Sequence, residues 1–265
     1  MSSIAKAMTI AGSDSGGGAG IQADLKTFGA FGVYGTSVLT AITAQNTLGV
    51  SAVLELPPDL VATQIEAILS DIGTDAVKTG MLANSEIIRV VATEIKERGI
   101  TNLVVDPVMV AKGGDRLLQE EAVTVLRNLL IPLSRVVTPN LPEAAVLVGR
   151  DVDSLEDAIQ AAIDIVDMGC SSVVVKGGHL HGDAVDVFYD GNVIREFTAA
   201  RVDTSSTHGT GCTFASAITA GLAKGVSIED AVAQAKEYVT GAIRNAFPIG
   251  RGHGPLNHLY RTMDV

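Results

Sequence analysis

The chain has 265 residues, of which 47% are hydrophobic, 18% charged and 4% aromatic, with no tryptophan. A formal charge of −11 and a pI near 4.8 argue against broad binding to nucleic acid or anionic membranes, which reward a basic surface; a local basic pocket for a phosphate stays compatible with them. Two cysteines, Cys170 and Cys212, make no disulfide framework and point to a reducing, cytoplasmic setting.

In chain order, short β-branched runs alternate with longer helix-periodic stretches. The first strand, Met8–Ala11, enters a glycine-rich loop, Gly12-Ser13-Asp14-Ser15-Gly16-Gly17-Gly18-Ala19-Gly20, that precedes Ile21–Phe28. Strands at Val38–Ile42 and Ala52–Leu56 lead to a helix over Asp59–Ile72, where Leu60, Gln64 or Ile65, Ile68 and Ile72 recur near every 3.6 residues. Strand Ala76–Thr79, helix Ser85–Arg98, strand Leu103–Asp106, helix Glu120–Leu130, strand Val136–Thr138 and helix Pro142–Val148 follow. Asp153-Ser154, with Glu156 and Asp157 in the first turn, starts a helix over Leu155–Met168. After strand Val173–Lys176, the runs Val185–Tyr189 and Val193–Phe197 flank Asp190-Gly191-Asn192 and read as an antiparallel edge hairpin. Helices over Thr213–Lys224 and Ile228–Ala246 complete the pattern.

Strand and helix in repeated alternation predict a parallel sheet with helices on both faces, in one domain over residues 1–265 without linker or repeat. The uncharged stretches Thr27–Leu54 and Thr204–Ala223 are long enough to span a bilayer. Both are interrupted by Gly, Thr, Ser and other polar residues, so burial in a protein core is the reading. The N-terminal MSSIAKAMTIAG lacks the apolar core and cleavage site of a signal peptide.

Polar residues gather at the ends of the strands: Gly12-Ser13-Asp14, Gly80-Met81, Asp106-Pro107, Thr138-Pro139-Asn140 and Lys176-Gly177-Gly178. Open parallel sheets bind ligands beyond those ends. The first glycine run matches neither G-x-G-x-x-G nor a Walker A loop, and its five glycines in nine residues favour close backbone approach to a ligand. Thr207-His208-Gly209-Thr210-Gly211-Cys212 opens a helix, where unsatisfied N–H groups can hold a phosphate; taken alone it is equally an ordinary glycine turn. A helix N-terminus would lower the Cys212 thiol pKa, whereas a lone cysteine is more often a small buried apolar residue. Asn140 and Glu143 are either a capped helix start or, with Asp106, a water-mediated Mg²⁺ site. Lys176, at the tip of a buried strand, calls for an anionic partner. The histidines His179, His181, His208, His253 and His258 are scattered and show no zinc spacing.

AGSDSGGGAGIQADLKT, TAQNTLGV, KTGML, VVDPVMVAKGG, TPNLPEA, VKGGH and HGTGCTFASA, in that order from about residue 5 to residue 245, resemble the hydroxymethylpyrimidine and phosphomethylpyrimidine kinases of thiamin biosynthesis, in the ribokinase-like superfamily. The resemblance implies a three-layer α/β/α domain, a homodimer, and two ATP-dependent phosphorylations at one site. It implies that Gln45 reads the aminopyrimidine edge, with Gly12, Ala19, Asp24, Met81 and Val108 completing that pocket. Gly209, Thr210 and Gly211 would form the anion hole, and Cys212, where the wider superfamily carries an aspartate, would assist as base. Lys176 and Lys236 would lie on the ATP side, and Asp106, Asn140 and Glu143 would organise Mg²⁺. The chain's end at Val265 leaves no room for a fused thiamin-phosphate synthase domain on this reading. A pyridoxal or pyridoxine kinase is the nearest rival; a non-catalytic sensor and a cysteine acyl transferase fit the site residues less well.

Overall fold

The computed structural model describes residues 4–109, 120–178 and 182–262. The Val110–Gly114 part of VVDPVMVAKGG, together with His179 and His181, lies outside the described residues.

Among the described residues, nine strands form one sheet: β1 (Lys6–Asp14), β2 (Tyr34–Asn46), β3 (Gly49–Glu55), β4 (Ala76–Thr79), β5 (Leu103–Val105), β6 (Val136–Val137), β7 (Val173–Val175), β8 (Ala184–Tyr189) and β9 (Ile194–Ala199), in the order β3-β2-β1-β4-β5-β6-β7-β8-β9. The six from β2 to β7 are parallel, while β3 and the β8–β9 pair run antiparallel. The helices are α1 (Gly20–Ala30), α2 (Pro58–Leu69), α3 (Ser85–Glu97), α4 (Glu120–Val125), α5 (Leu141–Val148), α6 (Leu155–Val166), α7 (Thr210–Ala223) and α8 (Ile228–Arg244).

Strand alternation sorts the core into the two outer layers. Leu103, Val105, Val173 and Val175 point to the side of α2, α3, α5 and α6; Val104 and Val174, one residue out of phase, point to α7 and α8. Phe28 of α1 packs with Ala7 and Ala220 on the α7 side. The expected three-layer α/β/α arrangement follows directly. Polar caps set where helices begin: Ser154 and Asp157 form a capping box on α6, and Asn84 and Ser227 accept from the first turns of α3 and α8.

Two expectations change. The β2–β3 pair is a second antiparallel hairpin, at the opposite edge from β8–β9, so Ala52–Leu56 is not part of the parallel sheet. The helix expected over Glu120–Leu130 is α-helical only to Val125, then widens to a π-turn at Leu126–Leu130 and tightens to a 3₁₀ turn at Ile131–Leu133, where Pro132 sits. No helix among the described residues is long and apolar enough to cross a membrane.

Candidate active site

β1 lies in the middle of the parallel strands; its own crossover goes to β2 on one side, and β4 and β5 follow on the other. The crevice where the order reverses, beyond the strand ends, is where such sheets bind ligands. β1 ends in Asp14, whose carboxylate organises the glycine loop: it accepts from the N–H of Gly16 at 2.8 Å, Gly18 at 3.1 Å and Ala19 at 2.8 Å. His208 Nε2 meets the same carboxylate at 2.8 Å. Burial alone would raise this carboxyl, but the His208 bond and the backbone donors outweigh it and hold the group below the usual carboxylate range.

The glycine loop and the turn before α7 interlock. Gly209 sits at φ +84°, and a side chain there would run into the Gly18 carbonyl. A Cβ on Gly18 would in turn lie 2.6 Å from His208 Cδ2. With Gly209 as its N-cap, α7 opens with Thr210, Gly211 and Cys212, whose first-turn N–H groups have no preceding helical carbonyls to bond. The turn is further fixed by the Thr210 hydroxyl donating to the Thr207 carbonyl at 2.7 Å.

Beside this glycine turn lies a charged cluster. A Cβ on Gly211 would stand 3.2 Å from Lys176 Nζ and 3.7 Å from Asp106 Oδ2. Lys176 pairs with Asp106 at 3.0 Å and reaches Glu143 at 4.0 Å. Burial pushes the Glu143 carboxyl up to about 7, against the pull of Lys176 and with the push of Asp106. Asn140 and Glu143 close a capping box on α5, each accepting at 2.8 Å from the other's backbone N–H. The capped-helix reading holds for both residues, and both also line the cavity described below.

Cys212 departs from expectation. Burial drives its thiol up to about 11, more than Lys78 lowers it, so the helix start does not yield a resting thiolate. Lys78, fully buried, is ion-paired with Asp24 at 2.9 Å. Asp24 also accepts from the hydroxyls of Thr9 and Ser216, both at 2.6 Å.

These groups surround one cavity of about 650 Å³. Of the expected pocket residues, Gln45, Gly12, Ala19, Met81, Val108, Gly209, Thr210, Gly211 and Cys212 line it. So do Lys176, Asp106, Asn140 and Glu143. Two expected residues do not line it. Asp24 lies behind the wall, saturated by Lys78, Thr9 and Ser216. Lys236 is tied at 2.8 Å to Asp186, whose other oxygen accepts from the Gly177 N–H at 3.0 Å, so it acts on the Lys176-Gly177 turn from behind. The sequence reading missed Asp14, His208 and Lys78. Each stands inside a quoted motif, and the available signal was a charge at a strand end or next to a glycine turn.

An amide-bearing pocket, a backbone anion turn and a lysine–carboxylate cluster along one cavity suit transfer of a phosphoryl group to a small planar alcohol. The phosphomethylpyrimidine kinase family model matches residues 14–257. The chain is 52% identical over 258 residues to the hydroxymethylpyrimidine/phosphomethylpyrimidine kinase of Bacillus subtilis, covering 97% of this chain and 95% of that one. It is also 52% identical over 259 residues to the thiamine biosynthesis bifunctional protein ThiED of Geobacter sulfurreducens, of whose length it spans 53%. Among solved structures, an ADP complex of Bacillus subtilis pyridoxal kinase superposes with a TM-score of 0.93 at 45% identity, covering 99% of this chain and 100% of that one.

Proposed function

The chain belongs to the phosphomethylpyrimidine kinase family, and from that premise we propose that it transfers the γ-phosphoryl group of ATP to the hydroxymethyl group of 4-amino-5-hydroxymethyl-2-methylpyrimidine and then to the resulting monophosphate. One observation carries the reading: Gln45 and the Gly209–Gly211 turn line a single cavity with the Lys176–Asp106 pair beside Gly211. An amide both donates and accepts in one plane, which matches an aminopyrimidine edge.

In this reading the first-turn amides of α7 hold the transferring phosphoryl group, and Lys176 neutralises charge on the ATP phosphates. Asp106 and Glu143 would hold Mg²⁺, a cation that keeps several of its waters and needs few carboxylates. Asn140 supports them by fixing Glu143 through the capping box. The metal supplies charge neutralisation at the phosphates when bound; the residues here orient and screen. With its thiol raised and therefore protonated at rest, Cys212 serves mainly as a small neighbour of the anion turn, and only its minor thiolate form could take the alcohol proton.

The same reading takes the whole chain as one catalytic domain, acting in the cytoplasm as a homodimer. The β2–β3 hairpin supports the dimer: Ile42, Leu48, Val53 and Leu54 are all exposed on it, and β3 is an open sheet edge. The likeness to a pyridoxal kinase supports a second reading, in which vitamin B6 alcohols are accepted as well.

ADP release measured with hydroxymethylpyrimidine, its monophosphate, pyridoxine and pyridoxal, each with Mg²⁺, tests these readings. No turnover on either pyrimidine would sink the main one, and turnover on the alcohol but not its phosphate would remove the second step.

A further inference from the structure

We propose that His208 is a positioning residue that fixes which way round the Gln45 amide faces the substrate, and so sets selectivity for an aminopyrimidine over a hydroxypyridine. The inference rests on the assignment of Gln45 to the substrate ring.

The Asp14 carboxylate already accepts three backbone N–H groups and is held ionised, so it can only accept from His208. His208 Nε2 therefore carries the hydrogen that it places on Asp14 Oδ2 at 2.8 Å. The ring has little freedom to turn away. Gly18 packs against Cδ2, and the His208 backbone N–H donates to the Gly254 carbonyl at 3.0 Å.

Gln45 Nε2 is placed 3.4 Å from His208 Nε2, and Gln45 Oε1 3.2 Å from the Thr43 hydroxyl. Amide oxygen and nitrogen are told apart by their hydrogen-bond partners, and in this placement two N–H donors oppose each other. Turned by half a rotation, the amide oxygen shares the imidazole N–H with Asp14. Its NH₂ then donates to Thr43 Oγ1, which is free to accept because its own hydrogen goes to the Ser13 carbonyl at 2.8 Å. Each donor that these residues turn toward one another along His208–Gln45–Thr43–Ser13 then meets an acceptor.

That orientation leaves one carbonyl lone pair and one amide N–H, in fixed order, for the ligand. An aminopyrimidine presents an amino donor beside a ring-nitrogen acceptor and fits one order only. A 3-hydroxypyridine such as pyridoxine has a methyl-bearing carbon beside its hydroxyl where the pyrimidine has a ring nitrogen, so it can satisfy only one of the two groups. The imidazole N–H is what breaks the symmetry between the two amide orders.

The experiment compares kcat and KM of the wild type, His208→Phe and His208→Gln with hydroxymethylpyrimidine and with pyridoxine. Phe keeps a ring but removes the N–H; Gln restores a donor. His208→Phe is expected to raise KM for the pyrimidine about tenfold with kcat changed less than about threefold, to shift selectivity toward pyridoxine, and to be largely repaired in His208→Gln. An unchanged KM and selectivity in His208→Phe overturns the proposal. So does an equal loss of kcat on both substrates that His208→Gln does not repair, which marks a purely structural role. Should His208→Phe not fold, Thr43→Val removes the other anchor of the same amide; a rise in pyrimidine KM supports the proposal and an unmoved KM overturns it. Wild-type protein inactive on pyrimidines would instead defeat the functional reading on which the proposal stands.

Discussion

Lys78 and Asp24 form an ion pair at 2.9 Å with neither side chain exposed, between the floor of the cavity and the inner turns of α1 and α7. Asp24 has no water to turn to if its partner goes, because Thr9 and Ser216 supply only neutral hydroxyls. Lys78→Met is therefore expected to cost about 3–5 kcal/mol, the usual result of stranding one buried charge. The double variant Lys78→Met/Asp24→Asn, which removes both charges, keeps an acceptor for one hydroxyl and offers the other an N–H, should recover at least half of it. Urea unfolding of the three proteins checks this, and a single variant as stable as wild type would refute it.

Cys212 is expected to matter less to turnover than the turn that carries it. With the thiol pushed up to about 11, about one molecule in ten thousand is a thiolate at pH 7. Cys212→Ala should lower kcat by less than about a hundredfold, below the usual range for loss of a general base. Gly211→Ala, which would set a methyl 3.2 Å from Lys176 Nζ, should lower it further. Steady-state kinetics on both variants gives the order; a larger loss in Cys212→Ala restores the base to the leading role.

Gly209→Ala should damage both folding and activity. The residue would have to hold φ +84° and drive its methyl into the Gly18 carbonyl, so about 2 kcal/mol or more of destabilisation is expected. Thermal unfolding with and without ATP would show it, along with a weakened ligand-induced rise in Tm. Equal Tm and equal rise would contradict the interlocked loops.

His258 gives the chain a pH signature away from the chemistry. It is buried beneath α7, facing the Thr213 hydroxyl at 2.9 Å, and burial pushes it down to about 4, with nearby Lys26 adding to the shift. Its folded value lies below the ordinary value of 6.5, so between pH 6.5 and 4 the unfolded chain takes a proton that the folded chain refuses. Stability should fall as pH drops through that window, by up to about 3 kcal/mol, and level off below it. His258→Gln should flatten the slope in chemical denaturation between pH 4 and 7; an unchanged slope assigns it to other groups.

The parallel strands were legible because each is a short β-branched run ending in polar residues, and burial on both faces of a sheet demands that pattern. The β8–β9 hairpin was legible through Asp190-Gly191-Asn192. The β2–β3 hairpin was not, since Val53 and Leu54 are apolar yet exposed, and composition alone reads them as buried. The π-turn at Leu126–Leu130 keeps the apolar content of an α-helix and leaves no local mark. At the site, Asn140, Glu143 and Lys176 could be read from their places at strand ends and helix starts. The Asp14–His208 contact joins residues 194 apart in the chain, and no local periodicity encodes it. Asp24 was drawn to the pocket by its motif, but the hidden partner that claims it, Lys78, shows only in three dimensions.

Because Gly18 and Gly209 are locked together, the glycine loop and the turn before α7 form one jaw. On the reading proposed above, a substrate that returns one phosphate longer is not received by spreading that jaw. The pliant element beside it is the unbranched Met81 thioether, which lies against Gly12 while the Thr40 hydroxyl holds the Met81 backbone carbonyl.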